Sequence, residues 1–580
     1  MCDAMLAWAA WSMLLLPLAN SYLTMGPAYQ PPDPLVPVYV ALAVPPGSRE
    51  GLEARLRAVS DPDSAEYGQW LSAEQVGRLA YPPRSDRQRV MSWIRHNHGA
   101  AAGELDLDID DCGDALRFRA PRSALRILFP PPLLDPGSYT VPAALRGLVD
   151  FVEMRSRPVP RGRLKRNVVG DNTTDDRFVG REALVRLYNV SSLGRRTSGT
   201  MAAEPVAAVE YQSSSGFSNQ DVQLLQIWND QDVRNVSHVV GANTGVDTES
   251  ELDVQMLGEA GGEAAEVWYW NTPYWLYAFA VDFAHAKDAP TVLSMSWGWA
   301  EDRQCDIVDC LGANMTSSKY VDRVNFEYLK LALRGTTLVI SSGDAGAPGR
   351  TSEGCDDSRP LNPAFPGSSP YVLSVGATYV PLDHSNASYT SPLCQQYGCI
   401  TSVDEKSIRY DRLGWTAGGG FDLYQNRTPW WQRSAVAGYL GSGVPLPPQF
   451  HRSGRAYPDV AALGHSCPTA LGGLVEGVDG TSCSAPLVAG LLAALNAEAR
   501  SQGRPRLGFA NPLLYRLQSQ HPTCFRDVVD GYNWCTEQRC CERRFGFSAA
   551  AGWDPVSGLG TLDVGCLSDQ QLRHVRASEV

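Results

Sequence analysis

Apolar and polar positions divide the chain into two stretches of different rhythm. Between residues 36 and 151 a strand-like run (36–42) is followed by segments apolar on one helical face only (50–59 and 87–97), a pattern that predicts a small α+β unit. Residues 155–166 are rich in Arg and Pro, end in Arg163-Leu164-Lys165-Arg166 and pass into a polar stretch at 167–176. A basic, extended stretch of this kind reads as a flexible linker that a processing protease could thread, or as a solvated surface loop.

From residue 177 onward the runs 206–210, 236–241, 291–296 and 337–342 are short and apolar. Helical patterns at 217–229, 247–257 and 320–334 separate them. Strands apolar on both faces, alternating with helices, predict a doubly wound, mostly parallel α/β sheet. The resulting division is a leader at 1–21, an N-terminal unit at 22–154, a linker at 155–176, a large domain at 177–566 and a tail at 567–580.

Composition narrows the classes. With 15 Trp, 23 Tyr and 15 Phe the chain carries too much buriable surface for disorder. A formal charge of -13, from 50 Lys+Arg against 63 Asp+Glu, excludes the basic excess that binds nucleic acid. Residues 4–18 form an apolar leader that reads as a signal peptide, without the usual positive start, or as a buried helix. Asn-X-Ser/Thr acceptors at Asn172, Asn189, Asn235, Asn314, Asn386 and Asn426 favour the secretory route. No later stretch approaches about 18 uninterrupted apolar residues, so no membrane anchor is expected.

Fourteen cysteines fit disulfides better than zinc, since no paired Cys-X-X-Cys spacing occurs. Cys305/Cys310 and Cys394/Cys399 could close local loops, and Cys524, Cys535, Cys540 and Cys541 have Cys355, Cys467 and Cys566 as candidate partners.

Three segments carry candidate chemistry. Gly480-Thr481-Ser482 runs into an apolar helical stretch at 487–497, placing Ser482 where backbone N–H groups and the positive helix end stabilise an oxyanion; as a bare motif it is also an N-cap. No His lies in a block that would serve Ser482 as base. Glu249 and Asp253 are four apart and share a helix face. A buried pair sharing a proton would make Glu249 a general base and Asp253 its orienting partner, whereas an exposed pair would be a solvated acidic face. Asp344, in Ser342-Gly343-Asp344-Ala345-Gly346, closes a Gly-rich turn at a strand end, where a protonated carboxyl could donate to an oxyanion.

Glu249-X-X-X-Asp253, Ser342-Gly343-Asp344 and Gly480-Thr481-Ser482, in this order, resemble the sedolisins, or serine-carboxyl peptidases, and among them the tripeptidyl-peptidase type. Residues 58–71 are similar to the family's activation-domain signature and 551–560 to its C-terminal calcium region, so the resemblance runs from about 36 to 563. It implies a subtilisin-like peptidase made as a zymogen, working in acid on peptide or protein substrates, with its own pro-segment as intramolecular inhibitor. The site implied is Ser482 as nucleophile, Glu249 as base, Asp253 behind it and Asp344 in the oxyanion hole. One structural Ca2+ is implied at the carboxylates of Asp527 and Asp554 and the carbonyls of Val528, Ala550 and Gly552. Release of tripeptides from free N-termini is the activity implied, with acid endoproteolysis or a catalytically silent binding protein as alternatives, in a lysosome-like compartment or outside the cell. Two departures stand out: Asp479, where the family usually has Ser, is expected to shift the pH profile or to contact substrate, and Ala550 replaces a frequent Gly. Cys483, beside Ser482, is a rival nucleophile that the motif register disfavours.

Overall fold

The computed structural model describes residues 34–102, 107–130, 139–154, 165–167, 177–190, 202–211, 214–310, 315–381, 388–425 and 427–577. The leader, most of the linker and the acceptors Asn172, Asn314, Asn386 and Asn426 lie outside them.

The N-terminal unit is a four-stranded antiparallel sheet in the order Ile109–Asp111, Ala115–Pro121, Leu35–Leu42, Val149–Glu153, with helices Ser48–Ser60, Ala73–Ala80 and Arg84–Ala102. Strand Leu35–Leu42 is apolar on both faces because both are buried. Val38, Val40 and Leu42 enter the unit's own core. Tyr39 and Ala41 join a second core with Tyr277, Tyr320 and Phe326 of the large domain.

Charge seals that junction. Arg323, Glu327 and Lys330, on helix Ser317–Leu333, are buried against Asp114 of the unit; Asp114 Oδ2 lies 2.6 Å from Lys330 Nζ and 3.2 Å from Arg323 Nη2. Two cations face two anions, so no buried charge is left uncompensated. Asp282 of the large domain accepts from Tyr39 Oη at 2.7 Å and Arg117 Nη1 at 2.8 Å. Trp70 reaches across to donate its indole N–H to the Arg506 carbonyl at 3.2 Å.

The large domain is built on a sheet whose successive strands are Phe525–Arg526, Thr561–Leu562, Val460–Leu463, Leu373–Tyr379, Thr337–Ser341, Val292–Met295, Glu204–Glu210, Ala265–Asn271 and His238–Val240. All neighbours pair in parallel except Phe525–Arg526, and Lys406–Ser407 adds an antiparallel edge to Leu373–Tyr379. Chain order reverses between Glu204–Glu210 and Val292–Met295, and a doubly wound sheet opens its crevice at such a reversal. Two helices pack together on this sheet, Thr248–Gly261 and Thr481–Ser501. Among the described residues, Thr481–Ser501 alone is long and apolar enough to cross a membrane, and it is buried in the core.

The structure gives several of the predicted segments a definite form. The described part of the linker, Lys165–Asn167, is a strand that pairs antiparallel with Leu474–Asp479, setting Arg166 opposite Val478. The region read as a tail begins inside helix Val564–Ala577, where Leu567 is buried. The aromatic run 268–277 is core, with Tyr269 and Tyr277 fully buried. Disulfides join Cys305–Cys310, Cys394–Cys399, Cys355–Cys541, Cys467–Cys483, Cys524–Cys566 and Cys535–Cys540, and Cys112 is free and buried.

Candidate active site

Three adjacent parallel strands end at the reversal point, and each delivers a polar side chain there. Glu204–Glu210 ends in Glu210, Val292–Met295 leads to Ser296, and Thr337–Ser341 leads to Asp344. Helix Thr481–Ser501 starts over the same place, with Ser482 in its first turn.

Local structure explains each position. Asp247 caps helix Thr248–Gly261, accepting from the N–H groups of Glu249 at 3.1 Å and Ser250 at 3.2 Å. This sets Glu249 in the first turn, with its carboxyl near enough to the Ser482 side chain to be stabilised by it. Asp253 lies one turn further and is fully buried, so the pair is no solvated face. Its Oδ1 accepts from Ser296 Oγ at 2.7 Å. Glu249 Oε1 and Asp253 Oδ2 are buried without hydrogen-bond partners, the arrangement in which a proton between two acids is stabilising. Behind them Glu210 is buried and accepts from Trp297 Nε1 at 2.8 Å.

Gly343 makes the turn to Asp344 at φ 104, a conformation that side chains rarely adopt. Asp344 Oδ1 accepts from the Thr481 backbone N–H at 2.8 Å and the Thr481 hydroxyl at 2.6 Å. The carboxyl is thereby fastened beside the nucleophile. Its Oδ2 faces Arg350 Nη2 at 3.4 Å. Ser482, Asp344, Ser296, Gly298, Trp299 and Arg350 line one cavity.

Burial pushes Glu249 up from the usual carboxylate range, while the Ser482 side chain and the Arg350 charge pull it back. Burial, then the charge of Glu249, raises Asp253 well above it. Glu210 is raised well above it by burial and by the acids in front of it. Several carboxyls in one dry pocket cannot all ionise, so the cluster holds protons far into the pH range where isolated acids have lost theirs.

All four residues expected from the sequence therefore converge here. Glu210, Ser296, Trp297 and Arg350 were missed; for Glu210 and Ser296 the available signal was a polar residue at the end of an apolar strand. Cys483 is bonded to Cys467, which removes it as a nucleophile. Asp479 does not reach the cavity; it is buried, and its Oδ1 meets His465 Nδ1 at 2.9 Å and the Ser466 N–H at 2.8 Å.

The five residues expected to bind calcium also meet in one loop cluster. Asp554 is buried; its Oδ2 accepts from the Ala550 N–H at 2.9 Å and its Oδ1 from the N–H groups of Val556 and Ser557. Asp527 Oδ2 accepts from the Gly552 N–H at 2.7 Å. Burial raises both carboxyls, Asp554 up to about 7, and the charge of Asp527 adds to the Asp554 shift. These partners are backbone N–H groups, and among the described residues no group of three or more acid, His or Cys side chains forms here, so the two carboxylates alone would give a cation its charge.

Fold and site define a serine-type peptidase with an attached activation domain. The Pro-kumamolisin activation domain matches residues 28–130 and the subtilase family residues 206–506. Physarolisin of Physarum polycephalum is 38% identical over 532 residues, covering 88% of this chain and 89% of the relative. Human tripeptidyl-peptidase 1 is 31% identical over 574 residues, covering 91% and 90%. The solved structure of Pseudomonas sedolisin complexed with two molecules of pseudo-iodotyrostatin shares the fold, with TM-score 0.50 and 22% identity over 69% of this chain and 98% of that one. The chain belongs to the sedolisins, the serine-carboxyl peptidases.

Proposed function

We propose that the chain is an acid-working peptidase that cleaves peptide bonds through an acyl-enzyme on Ser482. One observation carries this reading: Glu249 stands at Ser482, close enough for the hydroxyl to lower its carboxyl's pKa, while Asp344 is tied to Thr481 next to it. Ser482 Oγ attacks the scissile carbonyl carbon as Glu249 takes its proton, and protonated Asp344 donates to the oxyanion. Collapse breaks the C–N bond, and Glu249 returns the proton to the leaving amine. A water then attacks the ester by the same route in reverse. Asp253 orients Glu249. Acid operation follows from Asp344, which can donate only while protonated.

Removal of tripeptides from free N-termini is supported by the 31% identity to tripeptidyl-peptidase 1 along 91% of the chain. The endopeptidase reading is the alternative, and the same fold and site serve it. The N-terminal unit acts as intramolecular inhibitor until the chain is cut near Arg166; pairing of Lys165–Asn167 with the strand that leads to Ser482 supports that site. Asp527 and Asp554, with the carbonyls of Val528, Ala550 and Gly552, would hold one Ca2+ that secures this loop cluster. Entry to the secretory pathway through the leader, and service in a lysosome-like or extracellular acid milieu, fit the six disulfides among the described residues and the exposed acceptors Asn189 and Asn235.

The decisive experiment incubates purified protein at acid pH with a free-N-terminus tripeptide reporter beside a blocked peptide. Hydrolysis of the first alone establishes the exopeptidase, and hydrolysis of both the endopeptidase. Ser482→Ala should abolish either without altering the fold; surviving turnover in that variant removes Ser482 from the mechanism.

A further inference from the structure

Arg350 joins the catalytic cavity to a loop outside it. Its Nη2 stands 3.4 Å from Asp344 Oδ2 and its Nε 3.4 Å from Glu537 Oε2. Glu537 belongs to the short loop closed by Cys535–Cys540, and Cys355–Cys541 fastens that loop to the segment following Arg350. Hydrogen bonds hold the same loop: the Ala347 N–H donates to the Asn533 carbonyl at 2.7 Å, and the Thr416 hydroxyl donates to the Cys535 carbonyl at 2.5 Å. A loop held by two disulfides and aimed at one guanidinium is a built part of the site.

We infer that Arg350 and Glu537 are positioning residues for catalysis, Arg350 dividing its charge between Asp344 and Glu537 and so setting the pH interval in which the site works. The inference rests on the roles proposed above for Ser482, Glu249 and Asp344. A guanidinium beside a carboxyl favours the ionised form. Arg350 thus supports ionisation of Glu249, which the base requires, and stands beside Asp344, whose proton the oxyanion requires. Glu537 draws part of that charge away from Asp344. The groups facing Arg350 are Asp344 and Glu537, with Glu249 across the cavity; Asp253, Glu210 and Asp247 stand behind Glu249, and Glu353 lies beside Glu537. Burial raises Glu537 from the usual range, against the Arg350 charge that holds it down.

Opposite displacements test the device. In profiles of log kcat/KM against pH, Arg350→Gln should move both limbs to higher pH and Glu537→Gln should move both to lower pH, each by about half a unit or more. Arg350→Lys, which keeps the charge, should restore the wild-type limbs. In an Arg350→Gln background, adding Glu537→Gln should displace the profile less than it does alone. Limbs that stay in place, or that move the same way in both single variants, overturn the inference, including the case where only the height of the profile falls. Should Arg350→Gln fail to fold, Arg350→Lys against Glu537→Gln retains the test: limbs unmoved in the first and lowered in the second are expected, and unmoved limbs in both refute it. Failure of the underlying reading is separate, because it appears as a wild-type enzyme with no activity or a Ser482→Ala variant that keeps it.

Discussion

A carboxyl can serve as base toward a serine hydroxyl only where burial raises it and a second acid keeps a proton nearby, and α-helical spacing supplies both by setting Glu249 and Asp253 one turn apart. Glu249→Gln preserves size and hydrogen bonding but cannot take the proton. Its kcat should fall about 10²- to 10⁴-fold with KM little changed, the range for loss of a general base, and a loss confined to KM would refute the assignment. These residues were legible in the sequence because their chemistry depends on residue type at short spacing: two acids a turn apart, a Ser at a helix start, an Asp after a Gly turn. Glu210, Trp297 and Arg350 were not, because their roles arise when strand ends far apart in sequence converge, and nothing local to Arg350 points to Glu537.

Between residue and fold lies the packing of two helices, one carrying the nucleophile and the other its base. They approach so closely at Gly490 that a Cβ there would stand 2.6 Å from the Leu257 carbonyl oxygen and 2.9 Å from the Gly261 nitrogen. Backbone cannot yield as a side-chain end does, so the helices would have to part. Gly→Ala in a helix ordinarily stabilises by about 0.5–1 kcal/mol, but Gly490→Ala should destabilise by roughly 1–3 kcal/mol in denaturant titrations, the cost of overpacking. It should also lower kcat by widening the distance between Ser482 and Glu249; a gain in stability would show that the helices have room. Element types were readable wherever an apolar run is buried on both faces, as in Leu35–Leu42 or Glu204–Glu210. Two-residue strands such as Trp299–Ala300 and Ala364–Phe365, which wall the cavity, offer no such pattern, because pairing to each other defines them.

At the scale of the whole molecule, folding buries acids that the sequence shows only as net charge. Burial raises Glu251 and Glu259 to about 8 and Asp422 to about 7. Such a group binds its proton more tightly folded than unfolded. Its contribution is therefore complete below the unfolded value, near 4.3 for Glu and 3.9 for Asp, and disappears as pH rises through 7 and 8. Asp114 at the junction of the two units has the opposite sign: the Lys330 and Arg323 charges overcome its burial and hold it below the usual range, so its contribution vanishes as pH falls through that depressed value. Acid thus tightens the large domain while, at its lower end, loosening the seat of the N-terminal unit. Thermal scans of the Ser482→Ala chain, which cannot digest itself, should show the melting temperature of the large domain rising steadily from pH 8 to pH 5. The gain is about 1.4 kcal/mol per pH unit for each extra proton held by the folded state. A melting temperature that is flat or falls over that interval would mean that these buried carboxyls are ionised in the fold, and that acid strengthens nothing.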